Sequence, residues 1–392
     1  MNSGNPLLPV HFPHWVKLTT GLILGMVATL RAQTSEWIYH KTADGQHPDG
    51  NEQQMVWLMN RARANPPAEG LFLINSGDSS INDGISYLKV NTTLLVSEFA
   101  AIAAKPPAAF DRRLYEASRV HSADLIARRA QDHNYQTERI TAAGFSFAMA
   151  RVSVFSYSES ALAAHGALNI DWGPGGTGGM QAGRGHRAAI MSDQPSLLSN
   201  VGFALLPEPN PNTSIGPLVF SGAYCSARTT MPDHHNRFLT GTVWTDSNNN
   251  NRYDPGEGLN QVRIQPDRGS FHAVTGSAGG WAIPITAPDT YNLTFSGSTL
   301  HGSLTRSATV DSQSVLVDMK VTPGVPAMTI SFSLQNNGHL LLTWTGGRAP
   351  YQIQQSSNPS SGWTNLGALT AGKSASLPLA GAENFYRVVS SP

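Results

Sequence analysis

From Glu52 to Arg63 the apolar side chains Met55, Leu58, Met59 and Ala62 recur at i, i+3, i+4 and i+7, which predicts an amphipathic helix. Asn65-Pro66-Pro67 stops it, because proline has no backbone N–H to continue the ladder. A second helix is predicted from Leu114 to Arg129, with Leu114, Ala117, His121 and Leu125 along one stripe. A third, Ser160 to Trp172, puts Ala161, Ala164, His165 and Leu168 on one face. The stretch Gly173 to Gly185 holds seven glycines and excludes a regular element. Two strand-like runs follow, Val201 to Leu205 and Leu218 to Tyr224, separated by a Pro/Asn-rich hairpin region. Helices first and strands last within 51–230 predict one α+β domain with helices packed on a small sheet.

Past Met231-Pro232-Asp233 the pattern changes to short alternating segments: Thr240 to Trp244, Val262 to Gln265, Gly280 to Ile285 and Tyr291 to Phe295. Frequent turn residues between them predict a β-sandwich over 236–322. Thr322 to Pro326 reads as a linker. A final β module, 327–392, alternates at Ile330, Phe332 and Leu334, at Leu340, Leu342 and Trp344, and at Tyr351 and Ile353. Its Trp344, Tyr351, Trp363 and Tyr386 read as core aromatics, with a carbohydrate-stacking face as the alternative.

Length agrees with several domains, since 392 residues exceed one ordinary core. The 26 basic and 26 acidic side chains cancel, so nothing attracts nucleic acid or an acidic membrane surface. Lys17 precedes an uncharged, largely apolar run from Leu18 to Leu30, and Leu30-Arg31-Ala32 offers a small-residue cleavage site. Residues 1–32 therefore read as a signal peptide, with an uncleaved anchor as the alternative. The mature chain is expected to be secreted or displayed at the cell surface, without a transmembrane span. Residues 33–50, polar and rich in Gly, His and Asp, read as a linker. A single cysteine, Cys225, excludes an internal disulfide framework and favours a bacterial type of exported protein.

Three polar side chains stand at predicted element ends, where they can reach a shared crevice. They are His133 after the second helix, Glu159 before the third and His186 after the glycine stretch. Two imidazoles and a carboxylate can hold Zn²⁺ with a position left open, or act as acid and base on a water. Their spacing alone does not choose, because no HExxH-type helix is present. His121 and His165 lie on apolar stripes and read as packing histidines, Cys225 as a buried strand residue, and Glu52 and Asp124 as helix-surface charges. In the second module, Asp246, Asn248, Asn250, Asp254 and Glu257 occupy positions 1, 3, 5, 9 and 12 of a twelve-residue segment. Arg252 stands at position 7, where a backbone carbonyl serves. This is the oxygen-ligand spacing of an EF-hand loop, and it predicts a structural Ca²⁺ site. Asn251 takes the position usually held by glycine, and asparagine tolerates the left-handed backbone required.

Residues 52 to about 228 resemble bacterial CAP-superfamily domains, the cysteine-rich secretory, antigen 5, pathogenesis-related or SCP-like fold. The resemblance is carried by Leu58-Met-Asn-Arg-Ala-Arg, by Leu114 to Ala127, and by Gly185-His-Arg-Ala-Ala-Ile-Met followed by Asn200-Val-Gly-Phe-Ala. It implies an α-β-α sandwich with a cleft formed by His133, Glu159 and His186. The family's "GEN" segment is Ser158-Glu159-Ser160 here, and its second cleft glutamate has no clear match. Asp171 is nearby in sequence but is not assigned to that role. The glycine stretch would lie over the cleft as a lid or rim. Residues 236–322 resemble the calcium-binding B-repeats of surface adhesins, through Gly241-Thr-Val-Trp-Thr-Asp-Ser-Asn onward. The last module resembles fibronectin type III-like domains. The expectation is a secreted protein whose cleft binds a small apolar, lipid or peptide ligand and is displayed on calcium-stabilised β modules. A zinc-dependent extracellular peptidase or esterase and a structural surface protein are the alternatives. Binding is preferred because no nucleophile or oxyanion-hole motif can be named.

Overall fold

The computed structural model describes residues 34–298, 300, 302–322, 328–378 and 384–390. The expected signal peptide, and most of the linker expected at 322–326, lie outside the described residues. The chain is mixed α+β, with helices in its first part and several small sheets.

After β1 (Ser35–Glu36) the chain enters α1 (Gly50–Ala64). The Asp49 carboxylate accepts the Glu52 N–H at 2.9 Å while the Glu52 carboxylate accepts the Asp49 N–H at 2.8 Å, a reciprocal cap that fixes the helix start. Three short helices follow: α2 (Pro66–Ile74), α3 (Ser79–Tyr87) and α4 (Thr92–Ala101). Asn65, Asp78 and Asn91 cap them through side-chain oxygens. Then come β2 (Ala109–Phe110), α5 (Arg112–Arg128), α6 (Gln136–Ala142), β3 (Phe147–Ser158), α7 (Ala161–Ile170), α8 (Gly185–Ile190), β4 (Asn200–Pro207) and β5 (Leu218–Ala227). The sheet order is β2-β4-β5-β3, with β5 antiparallel to both neighbours.

Strand alternation divides the core between the faces of this sheet. Phe220 and Tyr224 join Val201 and Phe203, with Met55 and Met59 of α1 and Ala164 and Leu168 of α7. Ala223, Cys225 and Ala227 instead meet Leu114 and Ala117 of α5 and Ile140 of α6. The α5 helix lies so close to β4 that a Cβ at Gly202 would stand 2.1 Å from the Tyr115 backbone nitrogen.

The middle module contains β6 (Phe238–Trp244), β7 (Arg263–Pro266), β8 (Phe271–Val274), β9 (Gly280–Pro284), β10 (Asp289–Ser296), β11 (Leu304–Val310), β12 (Val315–Leu316) and β13 (Met319–Lys320). One sheet runs β1-β8-β7-β10-β11; in the other β12, β13 and β9 all pair with β6. Leu239, Val243, Ile264, Trp281, Ile283, Leu293 and Phe295 fill the core between them.

The stretch expected as a linker is structured in residues 34–50. Its β1 pairs in parallel with β8, and Trp37 is buried beside Phe238. The buried His40 imidazole contacts the carbonyls of Trp37 and Val274, and burial pushes its pKa down to about 4. The polar composition of the stretch hid these two anchors. The helical and middle parts also share a buried contact: Gln53 of α1 donates to Thr242 of β6 at 2.8 Å, and Trp57 stands edge-on to Trp244.

The last module has β14 (Thr329–Leu334), β15 (His339–Thr345), β16 (Tyr351–Ser356), β17 (Thr364–Asn365), β18 (Ser374–Pro378) and β19 (Phe385–Ser390) in two three-stranded sheets. Trp344 and Tyr351 meet edge-on in its core with Leu342, Ile353, Leu377 and Val388. Tyr386 is partly buried against that core, whereas Trp363 lies beneath the Arg387 guanidinium.

Candidate functional site

His133 and His186 come together. Arg129 ends α5 in the left-handed conformation and turns the chain toward His133, whose ring centroid lies 6.1 Å from that of His186 at an interplanar angle of 30°. Each ring is fixed from behind. His133 Nδ1 is 2.8 Å from Gln136 Oε1, and the Gln136 amide nitrogen donates to the Ser153 carbonyl. His186 Nδ1 is 2.8 Å from one oxygen of the buried Asp171, whose other oxygen accepts the His186 backbone N–H at 3.0 Å. With both Nδ1 atoms donating, each neutral ring keeps its lone pair on Nε2.

Asp171 is the cap at the C-terminal end of α7, in the left-handed region at φ 57°. Arg187 is buried across the same end, donating to the carbonyls of Asn169 and Ile170 and pairing with Glu98. These bonds satisfy carbonyls that the helix itself leaves open. Adjacent His and Arg in the Gly185-His-Arg segment thus do separate jobs: one enters the cleft, the other locks the helix beside it.

A cavity of about 190 Å³ adjoins His186. Val154, Phe155, Ala167, Leu168 and Trp172 form its apolar wall, and Gln131 contributes polar atoms. Gly173, Pro174 and Gln181 of the glycine-rich stretch form its rim. Arg184 holds that stretch through Glu98 and the Thr177 carbonyl. Trp172 reaches its place because α3 carries glycine at position 84, where a Cβ would stand 2.4 Å from the indole.

Glu159 does not join the pair. It stands in the turn between β3 and α7, where Ser160 caps the helix, and its carboxylate accepts the Ser80 hydroxyl of α3 at 2.6 Å. Among the described residues, His133, Glu159 and His186 do not form a group whose donor atoms all lie within 4.8 Å of one another. Asp171 and Gln136 are the polar partners that sequence reasoning missed. Nothing in a single sequence links position 171 to 186, whereas Gln136, three residues from His133, was within reach of a local reading.

The other titratable candidates are accounted for by packing. His165 is buried against Glu69 at 2.9 Å, and His121 contacts the Asp132 carbonyl and Arg139. Cys225 is buried in β5, where burial raises its thiol pKa. Asp124 pairs with Arg128 and Arg139 at the surface of α5. Glu52 is not a surface charge: it is buried at the start of α1 and in contact with His47 at 2.7 Å.

The segment 246–257 closes on itself between β6 and β7. Asn251 adopts φ 59°, the left-handed conformation required at its position. Asn248 and Asn250 both donate to Asp254 Oδ2, and Glu257 accepts the backbone N–H groups of Ser247 and Asp254. Lys320 pairs with Asp246 Oδ2 at 3.0 Å, while Asp246 Oδ1 is buried with no hydrogen-bond partner. An orphaned carboxylate oxygen inside a ring of amide and carboxylate groups fits a hard cation. Asp246, Asp254 and Glu257 would supply charge, Asn248 and Asn250 neutral oxygens, and Arg252 its carbonyl.

Comparison with protein-family models finds no match, and comparison with curated proteins finds none. Among solved structures, an extracellular protein containing an SCP domain from Bacillus anthracis aligns at 13% identity and TM-score 0.23, over 37% of this chain and 40% of that one. A protein from Bacteroides uniformis described as carbohydrate-binding aligns at 12% identity and TM-score 0.18, over 40% and 80%. The FN1–FN3 domains of chicken CNTN1 align at 9% identity and TM-score 0.14, over 48% and 81%. The chain thus spans about 40% of the length of the SCP-domain protein. Scores this low carry no argument about fold or function. No helix among the described residues is long and apolar enough to cross a membrane.

Proposed function

We propose that this chain is a secreted, SCP-like ligand-binding protein whose cleft takes the end of a small amphipathic molecule, lipid or peptide in nature. The observation that carries the proposal is the pair of Nδ1-anchored imidazoles beside an apolar-walled cavity. The apolar body of the ligand enters against Phe155, Leu168 and Trp172, and its polar end meets the Nε2 atoms of His133 and His186. Helices on both faces of the β2-β4-β5-β3 sheet, and the Gly185-His-Arg segment at the cleft, support the SCP-like reading.

The size of the cavity limits the ligand. At about 190 Å³ it is smaller than an ordinary ligand pocket of roughly 300–1,000 Å³, so it takes only a short chain. Each methylene buried there would contribute ~0.8 kcal/mol, offset by the several kcal/mol that association costs, so binding is expected to be weak.

Binding is favoured over hydrolysis because, among the described residues, neither imidazole hydrogen-bonds a serine or cysteine. Zn²⁺ would find two imidazole donors here, with the Asp171 carboxylate already engaged on His186 Nδ1. Ca²⁺ in the 246–257 loop is proposed as structural. That loop touches α1, where Gln54 donates to Asp254 at 2.9 Å, so the ion would stiffen the seat of the helical part as well as the β module.

Isothermal titration with a short-chain primary alcohol, whose hydroxyl can donate to an Nε2 lone pair, tests the proposal. The His133→Ala/His186→Ala variant is expected to lose the polar-end contribution, and Phe155→Ala part of the apolar one. Heat of binding unchanged in both variants would place the ligand elsewhere and end this reading.

A further inference from the structure

The three side chains of His47, Asp49 and Glu52 lie at the junction between the N-terminal segment and α1, away from the His133/His186 cleft. Among the described residues they form the one histidine–carboxylate group whose donor atoms all lie within 4.8 Å of one another. His47 Nδ1 is 2.7 Å from Glu52 Oε2, and its ring is stacked on Tyr115 at a centroid distance of 4.6 Å. The turn that presents it is closed by the Thr42 N–H to the His47 carbonyl and by the His47 N–H to the Thr42 hydroxyl.

The reciprocal cap of α1 accounts for only part of this arrangement. It uses Asp49 Oδ1 and Glu52 Oε2, and it needs no histidine. The Glu52 side chain is 1% exposed, yet its second oxygen, Oε1, is buried with no hydrogen-bond partner. Buried carboxylate oxygens are ordinarily satisfied, and this one belongs to a carboxylate that meets an imidazole through its other oxygen and lies within reach of Asp49, so the group fits a cation. We propose that His47, Asp49 and Glu52 bind a divalent transition metal of the zinc class.

The donor set decides the class. One imidazole nitrogen with two carboxylates suits Zn²⁺ and its neighbours, whereas Ca²⁺ requires six to eight oxygens. His47 is about one-third exposed, which leaves the site a route to solvent and a position for water. The metal would pin the segment that carries β1 and Trp37 to the first turn of α1, stapling the middle module's sheet to the helical part. The proposal is independent of the cleft.

The test uses the full mature chain, stripped with chelator and then equilibrated with Zn²⁺ in excess Ca²⁺, with bound metal counted by mass spectrometry. Asp49 and Glu52 cap α1, so their replacement would confuse folding with binding. His47→Phe keeps the ring on Tyr115 and leaves the cap intact, and its metal-free melting temperature serves as the folding control. Loss of an outer-shell partner typically costs 10–100-fold in metal affinity, so loss of this ligand is expected to weaken zinc binding by more than about tenfold. The His133→Ala/His186→Ala variant is expected to retain this zinc. Equal zinc occupancy in the wild-type chain and His47→Phe, or none in the wild type, would overturn the proposal.

Discussion

Replacing Asp171 by alanine removes the group that orients His186. The buried carboxylate accepts both the His186 N–H at 3.0 Å and its Nδ1 at 2.8 Å. Hydrogen bonds to a charged group are each worth ~1.5–3 kcal/mol, and alanine at φ 57° adds ~1–2 kcal/mol of left-handed backbone cost. Removing the carboxylate also removes its own burial penalty, so the net loss is placed somewhat below the ~4 kcal/mol low end of that sum, at ~3 kcal/mol. For a cooperative unit of this size, that corresponds to roughly 6–12 °C in Tm. Two companion variants separate the contributions. Asp171→Asn keeps an acceptor and tolerates the left-handed backbone, so it should cost about half as much. Asp171→Gly loses both bonds without the backbone cost and should fall ~1 kcal/mol short of alanine. Urea unfolding followed by far-ultraviolet circular dichroism reads the order Asn, Gly, Ala. An alanine variant within ~0.5 kcal/mol of wild type would refute the buried anchor, because only exposed, uncoupled positions behave that way.

Other expectations follow from the same structure. Ca²⁺ at about one hundred times its Kd should stabilise the chain by ~2.7 kcal/mol, and Asp246→Asn/Asp254→Asn should abolish the rise in Tm. Gly202→Ala forces a Cβ against the α5 backbone and should yield little soluble protein, read as the folded fraction on size-exclusion chromatography. Burial lowers the His40 pKa from 6.5 to about 4, so its contribution is fully present above pH 6.5 and is lost as pH falls toward 4, up to ~3 kcal/mol. Stability measured across that window should fall less steeply in His40→Gln. Native Cys225 should resist alkylation until the chain unfolds, since burial both hides the thiol and raises its pKa.

The helices that the sequence revealed are those with a long apolar stripe: α1, α5 and α7 each present several inward residues at helical spacing. The α2, α3 and α4 helices were missed because each is short and is set by an asparagine or aspartate cap more than by periodicity. The β3 strand was hidden because, among the described residues, it is an edge strand paired with β5, and its exposed half carries residues such as Arg151 that mask the alternation. Glu52 was legible in principle: Asp49-Gly-Asn-Glu52 has the spacing of a reciprocal cap, and a buried acid at that position follows from it. His133 and His186 could be read from their positions at element ends. The direction of Glu159 could not, because a turn residue's carboxylate takes the nearest donor, here Ser80, which is 79 positions away in sequence.

The most direct measurement is nuclear magnetic resonance of the histidine rings in chain labelled with ¹⁵N-histidine, assigned with His133→Ala and His186→Ala. The account predicts that both neutral rings carry their proton on Nδ1 and that protons of the two rings show a mutual Overhauser effect. Rings protonated on Nε2, with no cross-relaxation between residues 133 and 186, would contradict it.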